Sequence, residues 1–113
     1  MNQFELYCMV FFVLDAAWDE TKDPALGEFL SGANPFLFSD IGSADPSVFH
    51  RFCENTEMIV PIENSYKAAC NYIASMENDT LTEAFSTIDE KEWLSCSEEY
   101  LSQTHKGGDA RVV

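Results

Sequence analysis

Residues 2–18 read NQFELYCMVFFVLDAAW, and the conformation of this stretch decides the fold class. Asn2 followed three residues later by Glu5 can close a capping box, in which each side chain accepts the other residue's amide proton. No Gly or Pro interrupts the run to Trp18, so the pattern predicts a first helix. Its apolar residues cover nearly the whole circumference, with Phe4, Tyr7, Phe11, Leu14 and Trp18 on one stripe and Leu6, Val10 and Val13 on another. A helix of that kind is buried on several sides. It is either the central helix of the core or half of a homodimer interface made by Leu6, Tyr7, Val10, Phe11, Val13 and Leu14. A strand over Leu6 to Val13 is the competing assignment, because periodicity alone does not type a short apolar run.

Working outward, Asp23 before Pro24 reads as an N-cap followed by proline at the first helical position, and Gly32 suits the residue past the end of a short helix. Asn34-Pro35 then breaks the chain, Phe36, Leu37 and Phe38 form an apolar plug, and Asp40, Gly42 and Ser43 mark a turn. Asp45-Pro46 repeats the cap-and-proline device and opens a helix to about Asn55, with Val48, Phe49, Phe52 and Cys53 inward. The segment after Pro61 carries Ile62, Tyr66, Ala69, Ile73 and Met76 on one stripe and Asn64, Lys67, Asn71 and Ser75 opposite, which predicts a helix to about Glu77. Thr80 with Glu83, and Thr87 with Glu90, are candidate capping boxes for a short helix and for a last helix running from Ile88 to about His105. There, His105 and Lys106 would complement the helix C-terminus ahead of Gly107-Gly108.

These elements predict an all-α fold: a single compact domain over residues 1–108, with five or six helices. The first helix and the Pro61 helix are expected at the centre under shorter ones, and residues 109–113 are expected to be a disordered tail. At 113 residues and 46% hydrophobic content the chain can bury a core without metals or disulfides. The four cysteines, Cys8, Cys53, Cys70 and Cys96, lack the close pairing of zinc or redox motifs, and each falls at an apolar helical position. Four buried, reduced thiols are expected.

Twenty Asp and Glu against six Lys and Arg give a formal charge of −14. Such a field repels nucleic acids and anionic membranes and attracts basic proteins. Leu6 to Leu14, the long apolar run, is too short to span a bilayer. With Glu5 ahead of it and Asp15 behind it, it is not a secretion signal, so a cytoplasmic location is expected.

Few residues suggest chemistry. His50 and Cys53 are three apart on one expected helix face, and Asp15, Asp19, Glu20 and Asp23 are clustered carboxylates; a small enzyme or metal-binding protein would be built on these. The calcium-loop pattern fails, since Pro24 stands at the turn glycine and Leu30 at the bidentate Glu. In the Ile41 to Asp45 turn, Asp45 fills the anion position at a helix start. No catalytic residue, metal site or cofactor is expected. The strongest asymmetry is Glu77 to Glu99, where eight acidic residues face Lys91 alone. Several have capping or dipole roles, whereas Glu92, Glu98 and Glu99 have none and form the candidate partner-binding face. The leading expectation is a non-catalytic acidic interaction protein, of the bacterial immunity-protein or inhibitor type, that masks a basic surface of a partner protein. The alternatives are the enzyme or metal protein above, and a helical oligomer subunit joined through the first helix.

Overall fold

The capping box at Asn2 forms as the sequence requires. In the computed structural model, which describes residues 1–37 and 41–105, the Asn2 side chain accepts the Glu5 amide at 2.8 Å and the Glu5 carboxylate accepts the Asn2 amide at 2.8 Å. Helix α1 (Gln3–Thr21) follows, and the strand alternative for this stretch is excluded. Asp23 caps α2 (Pro24–Ala33) and Asp45 caps α3 (Pro46–Glu54), both with proline in the first turn. The hydroxyl and amide of Ser47 both donate to the Asp45 carboxylate and hold it below the usual range. Pro61 precedes α4 (Ile62–Ser75), which is followed by α5 (Asp79–Phe85) and α6 (Glu90–Leu101). Among the described residues there is no strand, only an isolated antiparallel bridge between Asn2 and Ile59.

The fold class is therefore all-α, one globule with six helices among the described residues and a radius of gyration of 13.2 Å. Helix α1 is its centre. It packs against α2, α3, α4 and α5, while α6 packs chiefly on α4. Eleven of its nineteen residues are buried. The six side chains considered for a homodimer, Leu6, Tyr7, Val10, Phe11, Val13 and Leu14, are all 7% exposed or less, so the chain's own helices cover them. Aromatic edges lock α3 to this helix and to α4, with Tyr7 and Phe52 rings 5.1 Å apart and Phe52 and Tyr72 rings 4.6 Å apart. The Tyr7 hydroxyl donates to the Ala33 carbonyl at the end of α2. On α4 the buried face is Ser65, Ala69, Tyr72 and Ile73, while Ile62, Tyr66 and Met76 of the expected stripe are half-buried at its edge. Trp93 of α6 is fully buried, and its indole N–H donates to Ser65 at 2.8 Å.

Several expectations need correction. Helix α2 runs past Gly32 to Ala33. Helices α5 and α6 are capped by Asn78 and Asp89, not by Thr80 and Thr87, because an Asx side chain just upstream takes the first free amides. Glu92 consequently sits in the first turn of α6, where its charge suits the helix dipole, so it does have a local role. The last helix stops at Leu101. His105 lies beyond it and folds back, stacking on Tyr100 at 4.2 Å and placing Nε2 3.3 Å from the buried Glu5 carboxylate. All four cysteines are free, but only Cys8 is buried; Cys53 and Cys70 are half-buried and Cys96 is exposed. The α6 pattern misled because that helix fully buries only Trp93 and Ser97 and leaves the Cys96 side uncovered. Phe38, Asp40, Lys106, the Gly107-Gly108 stop and the 109–113 tail lie outside the described residues.

Candidate functional site

Because α6 leans on α4 rather than on α1, one side of the central helix is only partly covered, with Phe12, Ala16 and Glu20 exposed beside the buried Met9, Val13 and Ala17. These six residues have the spacing of one helix face. The opposing stripe of α6 contains Glu92, Cys96, Glu99 and Tyr100, again at helical spacing. Between them lies a groove of about 530 Å³, with Thr87 and Ile88 contributing from the α5–α6 link. Phe12 meets Tyr100 at 5.4 Å, and Ala17 lies beside Thr87 in an adjoining depression, so α1 and α6 pass each other antiparallel. The α1 wall from Met9 to Glu20 is about 16 Å long at 1.5 Å per residue, which matches about three turns of a docked helix.

The floor is apolar and the rim is acidic. Ala16 and Ala17 present only small side chains to the groove. Phe12 is 37% exposed on a helix otherwise almost wholly buried on its apolar positions. Phe36 stacks on it at 5.4 Å, with the rings 15° apart, and is itself 49% exposed, so the apolar surface continues beyond the groove mouth. Glu20, Glu92 and Glu99 are exposed on the two walls, and no Lys, Arg or His is among the lining residues. Cys96 lies between Glu92 and Glu99 on the α6 wall, four residues after one and three before the other.

Of the three carboxylates singled out from the sequence, Glu92 and Glu99 line the groove and Glu98 does not; it is exposed elsewhere on α6. Sequence reasoning left out Phe12, took Glu20 only as part of a carboxylate cluster and expected Cys96 to be buried. A signal existed, since positions 92, 96 and 99 share a helix face, as do 9, 13, 16 and 20. What the sequence lacked was the information that these two faces oppose each other. The residues considered for chemistry are engaged otherwise. His50 is exposed and faces Glu54 one turn on at 3.5 Å. Burial pushes the Cys53 thiol above its ordinary range, the reverse of an activated nucleophile. Asp19 pairs with Lys22 at 3.2 Å, and Asp23 caps α2. Among the described residues no three His, Cys, Asp or Glu side chains converge in a way that could hold a metal ion, and no helix is long and apolar enough to cross a membrane. Comparison of the chain with protein-family models, with curated proteins and with solved structures finds no match.

Proposed function

We propose that this chain is a non-catalytic binding module that masks a basic amphipathic segment of a partner protein, the segment lying as a helix in the groove between α1 and α6. The observation that supports it is the pairing of an apolar floor, Phe12, Val13 and Ala16, with an acidic rim, Glu20, Glu92 and Glu99, contributed by two facing helices. An occupant with apolar residues at one helix face and Lys or Arg at its flanks satisfies both. Each large apolar anchor fully buried contributes about 1.5–3 kcal/mol, so affinity rests on the floor. The rim governs association rate and orientation, and its reach falls to about 8 Å at physiological salt. A second copy of the chain is a poor occupant, since it brings a net charge of −14 to the same acidic rim. The inhibitor or immunity role expected from charge and size is one biological form of this masking.

The test uses a labelled helical peptide of about eleven residues, three turns in length, with Leu on one face and Lys on its flanks. Binding and Cys96 alkylation are followed together. Occupancy of the groove slows Cys96 alkylation; Glu20→Lys, Glu92→Lys and Glu99→Lys combined slow association and flatten its salt dependence, whereas Glu98→Lys has little effect. Phe12→Ser speeds dissociation. A peptide that binds the triple reversal as fast as the parent at low salt, or that leaves Cys96 unprotected when saturating, refutes the groove as the site.

A further inference from the structure

A second concavity, sharing no residue with the groove, lies between α3, α4 and the α4–α5 turn, with Phe29 of α2 at its side. Its volume is about 320 Å³, enough for a small organic molecule. In a chain with twenty acidic residues, not one carboxylate lines it. Arg51, in the last turn of α3, does line it, and among the described residues no Asp or Glu lies within ion-pair distance of Arg51. A guanidinium is the side chain best shaped to take a carboxylate through two parallel N–H donors.

Tyr72 faces the same space. Its residue is 3% exposed, yet its hydroxyl makes no hydrogen bond to any described residue. The ring is packed in the core while the hydroxyl is left accessible at the pocket wall, where it can donate to a molecule in the pocket. Burial pushes the Tyr72 phenol up to about 12, against the opposing pull of Arg51, so at neutral pH it is an O–H donor. Asn55 adds an amide at the mouth, although one of its protons already goes to the Arg51 carbonyl at 2.8 Å. The rest of the wall is mixed, with Phe29, Met76 and Leu81 apolar and Ser75 and Asn78 polar.

We propose that this pocket binds a small organic carboxylate, its two oxygens on the Arg51 guanidinium and the Tyr72 hydroxyl and its apolar body against Phe29, Met76 and Leu81. The net charge of −14 opposes any anion. A monoanion whose apolar body is buried is therefore favoured over a dianion such as phosphate, which brings twice the repulsion and no apolar surface. The site is independent of the groove, so either can fail without the other.

The probe is phenylacetate, titrated into the full-length protein and followed by amide chemical shifts and by thermal denaturation. Phenylacetamide and inorganic phosphate are the uncharged and the bare-anion controls. Phenylacetate is expected to saturate in the millimolar range, to perturb the amides around Arg51 and Tyr72, and to raise Tm, while both controls do far less. Arg51→Gln removes this binding. Tyr72→Phe, which keeps the ring against Phe52, weakens it about tenfold, the loss of one hydrogen bond to a charged group. Both variants are checked for unchanged far-ultraviolet circular dichroism, and Arg51→Lys serves in place of any variant that does not fold. Equal response to phenylacetamide, binding that survives Arg51→Gln, preference for phosphate, or no saturation at tens of millimolar would each overturn the assignment.

Discussion

Cys96 offers a direct measure of the acidic groove, because its thiol reports the local field to any reagent that reaches it. Glu92 and Glu99 are its neighbours on the helix face, about 6 Å away by the geometry of residues three and four apart. In bulk dielectric, two unit charges at that distance repel a monoanion by about 1.4 kcal/mol, which is about tenfold in rate. Screening at 0.15 M salt roughly halves this, leaving about threefold, and at 1 M almost nothing remains. The assay compares iodoacetate with iodoacetamide, reagents of similar size and the same leaving group, and reads Cys96 separately by peptide mass spectrometry. Taking the ratio of the two rates, relative to free cysteine, cancels the thiolate fraction and the accessibility. The ratio should disfavour iodoacetate about tenfold at 10 mM salt, converge on free cysteine at 1 M, and lose its salt dependence in Glu92→Gln with Glu99→Gln. Cys8, fully buried, should label only through unfolding. A ratio indifferent to salt or to removal of the two carboxylates, or Cys96 labelling as slowly as Cys8, would refute the described arrangement of α6 against α1.

Two further outcomes follow from the core. Ser65→Ala leaves the fully buried Trp93 indole N–H without its acceptor, so stability should fall by about 1–3 kcal/mol in urea denaturation; a change under 0.5 kcal/mol would mean that the bond carries nothing. The second concerns alkaline pH, since burial raises the phenols of both Tyr7 and Tyr72, the latter to about 12. Above pH 10 the unfolded chain gives up these protons while the folded chain keeps them, so stability is fully present below about pH 10 and declines towards 12. Tyr72→Phe should flatten that decline in denaturant midpoints taken from pH 8 to 12, and an unchanged slope would contradict the burial of its phenol.

How far the sequence could be read depended on whether the governing contact was local. Asn2 with Glu5, Asp23-Pro24, Asp45-Pro46 and Pro61 each act within one turn of chain, and each starts its helix in the structure. Thr80 and Thr87 failed as caps for an equally local reason: Asn78, two residues before Thr80, and Asp89, two residues after Thr87, cap the helices instead, accepting the Thr80 and Leu81 amides and the Glu92 amide. The buried polar residues were beyond reach. Ser65 is interior because Trp93, twenty-eight residues away, needs an acceptor, and nothing near Ser65 announces it. Cys96 was misplaced because a small apolar residue on a helix gives no sign of whether a neighbour arrives to cover it. The acidic side chains of the last helix were legible as a surplus, but their division into Glu92 and Glu99 at the groove and Glu98 away from it depends on the angle at which α6 meets α4.

The two walls of the groove differ in what depends on them. Met9, Val13 and Ala17 on the α1 wall also belong to the hydrophobic core, so that wall is constrained by the stability of the whole molecule. Helix α6 is anchored at its fully buried Trp93 and Ser97, and its groove-side Cys96 and Glu99 are exposed and outside the core, while Glu92 serves the first turn of the helix. Substitutions there change the shape and charge presented to a ligand with little effect on folding. The proposed recognition surface is therefore free to diverge on one helix while the other keeps the scaffold intact.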